Sequence, residues 1–377
     1  MKILIVSDTY LPKNDGVVKF LRHVIPGLKE NFEVKLLVPD FGPSEDIDVE
    51  VDKVQLSSVV KAAGYPSAEI SYKTMQAVKR EVLQADVIFV QDLAVLGALA
   101  IHYGKKYGKK VVVYVHQLAW DQLAAVKTKS LRLKRIISAV GIRAAKSLYK
   151  KCNVVLLPSR GVAQSLERQG IRGRRAIVRL GVDTDMFAPA KNKQASKLKI
   201  KISKDKIVIG YCGRISKEKD LGTLLEAFET LKKKHSNLYL LLVGDGEDDE
   251  KKRFNGLKDV KITGFKENVI QYYQAMDIFV LSSLTETTSL ATMEALSCGI
   301  PVIVTPVGRV KEYVHSGYNG FFFPKNSAAA LSEKLNYLIR NPEQRIAMGE
   351  RARKSMIGRS WKRTVAKLIR IFNDLEV

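Results

Sequence analysis

The chain has 377 residues, a hydrophobic fraction of 46% and a formal net charge of +24. At roughly 100–200 residues per domain this length predicts two domains, each with enough apolar residues for its own core. Cys152, Cys212 and Cys298 are widely spaced and no CxxC or Cys/His cluster occurs, which indicates neither a zinc site nor a disulfide framework and fits a reducing, cytoplasmic compartment best.

The opening MKILIVSDTY predicts a strand, KILIVS (2–7). It does not read as a signal peptide, because the apolar run is short and no small-residue cleavage site follows. VKLLVP (34–39), VIFVQD (87–92), VVVYVH (111–116) and NVVLLPS (153–159) are further β-branched runs. Each predicts a buried parallel strand, with helices between them at 17–30, 70–84 and 93–107. The polar, Lys-rich stretch APAKNKQASKLKIKISKD (188–205) predicts a join. A second series then begins with KIVIGYCGR (206–214) and continues through LYLLLVGDG (238–246), VKITGF (260–265), DIFVLSS (277–283) and PVIVTPVG (301–308). Its helices are predicted at 220–234, 267–275 and 288–298. This double βαβ alternation predicts an α/β fold of two Rossmann-like domains with parallel sheets. The N-terminal domain spans 1–190 and the C-terminal domain 191–360. A last helix over 361–377, headed by Trp361, is available to pack back on the N-terminal domain. No apolar run reaches the ~20 residues needed to span a bilayer.

The charge is uneven. Residues 1–100 hold 11 Lys/Arg and 14 Asp/Glu, residues 101–180 hold 19 and 2, and the remainder holds 33 and 23. A local surplus of this size asks for an anionic partner, a nucleic acid or an acidic membrane face, unless it is a solvated surface kept for solubility. KTKSLRLKRIISAVGIRAAKSLYKK interleaves Leu131, Leu133, Ile136, Ile137, Val140 and Ile142 with nine basic groups. A basic amphipathic helix of this kind can lie in a membrane interface, or bury its apolar face in the domain. Nucleic-acid binding would need stacking aromatics or a reading helix, and only Tyr149 stands beside the basic groups.

Two segments carry chemistry. In SLTETTSLATMEALSCGIPVIVT, Glu286 lies in a loop after a strand and Glu294 on the following helix. The pair can face two parts of one extended ligand, and the N–H groups of Thr288, Ser289 and Leu290 at the helix start favour phosphate. In GYCGRISKEKDLGTLLEAF a strand ends at Gly213, and Arg214 and Lys219 precede a helix. Both cations can converge on a diphosphate and neutralise it as a leaving group departs. The chain has no GxxxxGK[ST] and no GxGxxG after its first strand, which argues against a P-loop ATPase and a nicotinamide dehydrogenase.

Together these segments resemble glycosyltransferase family 4, retaining enzymes of the GT-B fold. ETTSLATME matches the family's Glu-x7-Glu motif and GRISKEKDLGTLLEAF its diphosphate-binding Arg and Lys. LLLVGDG and VKITGF match strands around the nucleobase, RLGVDTDMFAP the GVDxxxF segment, DTYLPKNDGVVKF the N-terminal glycine loop, and VYVHQLAWD the histidine near the reacting sugar. The resemblance implies two domains facing across a cleft. It places Glu286 and His116 at the sugar, Glu294 at the ribose, Arg214 and Lys219 at the pyrophosphate, and Gly16, Gly213 and Gly264 where backbone approaches the donor. It implies no general base, no cofactor and no metal. Thr287 and Ser289 depart from the family's glycines, and Asn14-Asp15-Gly16 departs from its Gly-Gly toward the branch that glycosylates lipids.

Other motifs are discounted. Asp183-Thr184-Asp185 spells DxD but falls in the GVDxxxF turn, and Asp248, Asp249 and Glu250 read as a solvated cluster. Trp120 and Asp121 line a candidate acceptor entrance, and Lys129, Arg132, Lys134 and Arg135 a candidate membrane face. The leading reading is a peripheral enzyme at the inner face of the cell membrane. It moves a hexose from UDP-glucose or a related UDP-sugar, or from GDP-mannose, to a membrane lipid. The alternatives are the same chemistry on a soluble glycan acceptor, and a nucleic-acid-binding α/β protein, against which the motif spacing argues. A phosphorylase of the same fold would need a longer chain and a pyridoxal-binding lysine motif.

Overall fold

The computed structural model describes residues 1–13, 15–43, 47–62, 65–116, 131–286 and 288–375; residues 58–62, 65–66 and 131–138 are described by their backbone alone. The chain divides into two compact units, Met1–Gly181 with Trp361–Val377, and Val182–Ser360.

The first unit is built on a seven-stranded parallel sheet. Its strands are β1 (Lys2–Val6), β2 (Glu33–Pro39), β3 (Glu50–Val54), β6 (Val87–Val90), β7 (Lys110–Tyr114), β8 (Val154–Leu157) and β9 (Arg175–Ile177), in the order β3-β2-β1-β6-β7-β8-β9. Between β3 and β6 lies an antiparallel pair, β4 (Leu56–Ala62) and β5 (Tyr65–Ala68). Ile3–Val6 of β1 and the whole of β6 and β8 are apolar and buried, as crossover helices on both faces require. β1 pairs with β2 and β6 in the registers Ile3↔Val34 and Ile3↔Val87. The order reverses at β1/β6, which opens a crevice at their C-terminal ends. The helix Gly16–Lys29 follows β1, and Asp15 caps it by accepting from the N–H groups of Val17 (2.9 Å) and Val18 (3.0 Å). The helix Trp361–Asn373 returns to this unit. Trp361 stacks on His23 with centroids 4.6 Å apart, and Phe372 meets Phe89 edge-on at 5.2 Å. Thr364 donates to the carbonyl of Arg179 at 2.8 Å.

The second unit carries a six-stranded parallel sheet of β10 (Ile207–Cys212), β11 (Leu238–Val243), β12 (Val260–Ile262), β13 (Ile278–Leu281), β14 (Val302–Val304) and β15 (Gly320–Phe322). Its order is β12-β11-β10-β13-β14-β15, so the reversal falls at β10/β13. The polar stretch 188–205 is part of this unit rather than a free join. The helix Lys193–Lys199 lies within it, Ile200 and Ile202 enter the core, and buried Lys197 pairs with Asp277 at 2.7 Å. Its Lys-rich composition masked this role, because the amphipathic lysines reach inward to a carboxylate at the head of β13. The chain instead crosses between units at Gly181/Val182 and Ser360/Trp361.

Candidate active site

In the second unit the candidate residues follow the two strands at the sheet's reversal point, where ligands of open α/β sheets bind. β10 ends at Cys212, and Gly213 follows with a φ of +148°, a backbone conformation open to glycine. A Cβ there would come 2.9 Å from the hydroxyl of buried Tyr211, which donates to the carbonyl of Arg214 at 2.7 Å. The neighbouring strand end is as tight: a Cβ on Gly244 would collide with the carbonyl oxygen of Gly213. Gly244 and Gly264 form an antiparallel bridge, and Gly264 has φ +69°. The three glycines thus let the ends of β10, β11 and β12 close on one another.

After Gly213 a short 3-10 turn, Lys217–Lys219, precedes the helix Leu221–Lys232. This turn is knitted to the loop after β13. The hydroxyl of Ser282 donates to the carbonyl of Lys219 at 2.8 Å, and the Leu284 N–H donates to the carbonyl of Glu218 at 2.8 Å. The side chains meet as well: Lys219 Nζ lies 2.7 Å from Glu286 Oε1, with both groups mostly buried. Ser283 also donates to that oxygen, at 3.2 Å. A cation and a carboxylate are thereby held side by side, and each is short of water. Such a pair pays for its desolvation only where geometry is good, and it is poised for a ligand with both phosphate and hydroxyl groups.

Arg214 takes a different course. Its guanidinium is more than half exposed and is held by Glu218, i+4, at 2.5 Å. In this state the structure brings Lys219, rather than Arg214, to Glu286. Glu294 is buried on the helix Leu290–Ser297, and its Oε2 accepts from the hydroxyl of fully buried Tyr273 at 2.8 Å. Burial pushes the Tyr273 phenol well above its ordinary range, so the phenol stays a donor and orients the carboxylate. Ser289 is the helix cap, and Leu290 the first helical residue. The Ser289 hydroxyl accepts from the Thr292 N–H at 3.2 Å, and its carbonyl accepts from the hydroxyl of Tyr313 at 3.1 Å. The side chain of Thr288 accepts from Arg309 at 3.2 Å.

In the first unit, His116 follows β7. Its ring packs on Phe20 (5.0 Å) and Tyr114 (4.5 Å). His116 Nε2 lies 3.1 Å from Gln91 Oε1, while Gln91 Nε2 donates to the carbonyl of Phe89 at 3.3 Å. The amide oxygen of Gln91 is therefore the acceptor, so His116 carries its proton on Nε2 and leaves Nδ1 as an acceptor. Burial lowers the pKa of His116 to about 3, so the ring is neutral near pH 7. Gly16 opens its helix, and a Cβ there would meet nothing among the described residues.

Two family models match the chain: glycosyltransferase family 4 over residues 14–186, and glycosyl transferases group 1 over residues 192–355. The chain belongs to the GT-B glycosyltransferases of family 4. Its relatives include the alpha-monoglucosyldiacylglycerol synthase of Acholeplasma laidlawii, 29% identical over 374 residues that cover 91% of this chain and 89% of that protein. The GDP-mannose-dependent alpha-mannosyltransferase of Mycobacterium tuberculosis is 27% identical over 383 residues, covering 96% and 93%. Among solved structures, HepE of Anabaena in complex with UDP has the same fold, with a TM-score of 0.80 at 16% identity over 99% of this chain and 100% of that one.

Several residues around the candidate site are not singled out by any sequence motif. Tyr273, Tyr211 and Tyr313 read as core aromatics, and only their hydroxyl partners reveal a second task. Arg309 carries no motif at all. The Asp183 of DxD serves as a turn residue: its carboxylate accepts from the N–H groups of Asp185 (3.1 Å) and Met186 (2.8 Å). Asp248 and Asp249 pair with Lys251 and Lys252 in the first turn of a short helix. Among the described residues no three His, Cys, Asp or Glu side chains are placed to hold a metal ion.

Trp120, Asp121 and Lys129 lie outside the described residues. Arg132, Lys134 and Arg135 lie on the helix Leu131–Tyr149, in the part described by its backbone alone. Further along that helix, Ala145 and Tyr149 are buried in the core while Val140 and Arg143 are exposed. Its second half thus packs on the sheet and still leaves a basic, partly apolar outer face. No helix among the described residues is long and apolar enough to cross a membrane.

Proposed function

We propose that this glycosyltransferase moves a hexose from a nucleotide diphosphate sugar to a membrane lipid, with retention at the anomeric carbon. The observation that carries the proposal is the Lys219–Glu286 pair at the β10/β13 reversal point. It couples a phosphate-binding cation to a carboxylate suited to sugar hydroxyls. Lys219 and Arg214 neutralise the departing diphosphate, and this electrostatic work requires neither a cofactor nor a metal ion. Glu294, oriented by Tyr273, takes the ribose hydroxyls. Gly213, Gly264, Thr288, Ser289 and Leu290 form the backbone of the donor site, and Gly16 and neutral His116 contribute to sugar recognition. UDP-glucose is the first donor to test and GDP-mannose the second.

The lipid acceptor rests on two supports. One is the relative named for a diacylglycerol glycolipid, which matches over most of both chains. The other is the surplus of 19 basic over 2 acidic residues in 101–180, far more than a nucleotide needs. Each basic group near an anionic surface contributes roughly 1 kcal/mol before screening, so a handful suffices for reversible attachment at the inner membrane face. The test measures nucleotide release from UDP-glucose and GDP-mannose, with EDTA present, on neutral and anionic vesicles carrying a diacylglycerol acceptor. Metal-independent turnover on anionic vesicles is the expected result. Replacing Lys129, Arg132, Lys134 and Arg135 together by Glu should release the protein from those vesicles and leave nucleotide affinity intact. Equal binding to both vesicle types, or full activity on soluble acceptors alone, would overturn the lipid assignment.

A further inference from the structure

The loop Ser282–Ser289 carries Glu286, yet its described residues form no helix or strand. Its shape therefore depends on tethers from elsewhere. Four are visible. Thr305 donates to the carbonyl of Ser283 at 2.6 Å, Leu284 to that of Glu218 at 2.8 Å, and Tyr313 to that of Ser289 at 3.1 Å. The fourth is Arg309, whose Nη1 donates to the hydroxyl of Thr288 at 3.2 Å. Like the Lys219–Glu286 pair, it carries charge and reaches a side chain rather than a carbonyl.

Arg309 lies in the turn after β14 and is only 5% exposed. Its Nη2 meets Glu312 at 3.3 Å, and among the described residues its Nε has no partner. A buried guanidinium with an orphaned N–H is a poor way to stabilise a turn, because the desolvated group is only partly repaid. An apolar side chain of similar length would fill the same space at no such cost. What an apolar side chain cannot do is hold Thr288.

We infer that Arg309 is a positioning residue for the donor site: by gripping Thr288 it fixes the loop that presents Glu286 to the sugar. The inference rests on the proposed function for its chemical meaning, while the grip itself is a property of the free protein. Arg309 and Tyr313 come from one turn and seize two successive residues, Thr288 and Ser289, immediately ahead of the helix that bears Glu294. One rigid element thereby sets both glutamates.

The test uses the whole chain with Arg309→Met, Thr288→Val and the double variant. Arg309→Met keeps volume and removes charge, so thermal unfolding should stay near that of the wild type or rise. Amide exchange over 283–290 should quicken by about tenfold, the loss expected for one charge-assisted hydrogen bond, while exchange elsewhere in the unit is unchanged. Turnover at saturating donor should fall by roughly tenfold or more, because the loop misplaces Glu286 against the sugar. The double variant should lose no more than Arg309→Met alone. Unchanged exchange over 283–290 in Arg309→Met, or a double variant whose loss is the product of the singles, would overturn the inference. A wild type that turns over no nucleotide sugar would sink the proposed function, and the exchange measurement would still decide whether Arg309 holds the loop.

Discussion

The neutrality of His116 has a measurable consequence for stability. Burial lowers its pKa in the native protein to about 3, whereas an unfolded chain takes up that proton near pH 6.5. Between those values the unfolded state binds the extra proton, so the stability from this residue is complete above pH 6.5 and is lost as pH falls. The slope is about 1.4 kcal/mol per pH unit, and lowering the pH from 7.5 to 5 should cost about 2 kcal/mol through His116 alone. The comparison is wild type against His116→Asn, which keeps a neutral donor for Gln91 and does not titrate. Asp8 titrates in the opposite sense, its carboxyl held well above the ordinary range by burial and by Asp92, but it is common to both proteins and cancels. Urea unfolding followed by tryptophan fluorescence reports on the right body, since Trp120 and Trp361, the two tryptophans of the chain, both belong to the first unit. The wild type should lose about 2 kcal/mol more than the variant between the two pH values. Equal losses would refute the reasoning and return His116 to the list of groups that can ionise during turnover.

Removing Lys219 or Arg214 deletes one charge-assisted contact to the diphosphate, so Lys219→Ala and Arg214→Ala should weaken UDP or GDP binding by about 10–100-fold in calorimetry. Unchanged affinity in folded protein rejects the phosphate assignment. Glu286→Ala should abolish most turnover while folding is kept, whereas Glu294→Ala should raise the donor KM more than it lowers kcat. Tyr273→Phe should shift KM in the same direction as Glu294→Ala, by up to about tenfold, because it frees the carboxylate rather than deleting it; a Tyr273→Phe enzyme with wild-type KM would remove that link. Gly244→Ala forces a Cβ onto the Gly213 carbonyl at φ +143° and should destabilise the second unit by about 2–4 kcal/mol in chemical unfolding, a loss that a tolerant loop would not show.

The central strands of both sheets were legible because a doubly covered parallel strand is apolar along its whole length, as in ILIV of β1 or VVLL of β8. Of the edge strands β12, within VKITGF, was read and the others were not. β3 reads EVDKV, with its charges directed to solvent and to the ion pairs of Lys35, and β9 and β15 are three residues long. The candidate site was legible where a motif fixes residue types at a spacing, as with Glu286, Glu294, Arg214 and Lys219. Its supports were not, since a tyrosine that orients a carboxylate and one that fills a core look alike until the hydroxyl's partner is seen. Arg309 illustrates the same limit. Twenty-one residues separate it from Thr288, and no local pattern records a contact made through a turn on another strand.

One measurement tests the proposed transfer most directly. Purified protein is given UDP-glucose or GDP-mannose with anionic vesicles containing diacylglycerol, and the glycolipid product is isolated and its anomeric configuration read by NMR. The account predicts stoichiometric release of the nucleotide diphosphate and a product with the anomeric configuration of the donor, both lost in Glu286→Ala. An inverted product, or transfer that survives intact in Glu286→Ala, would contradict it.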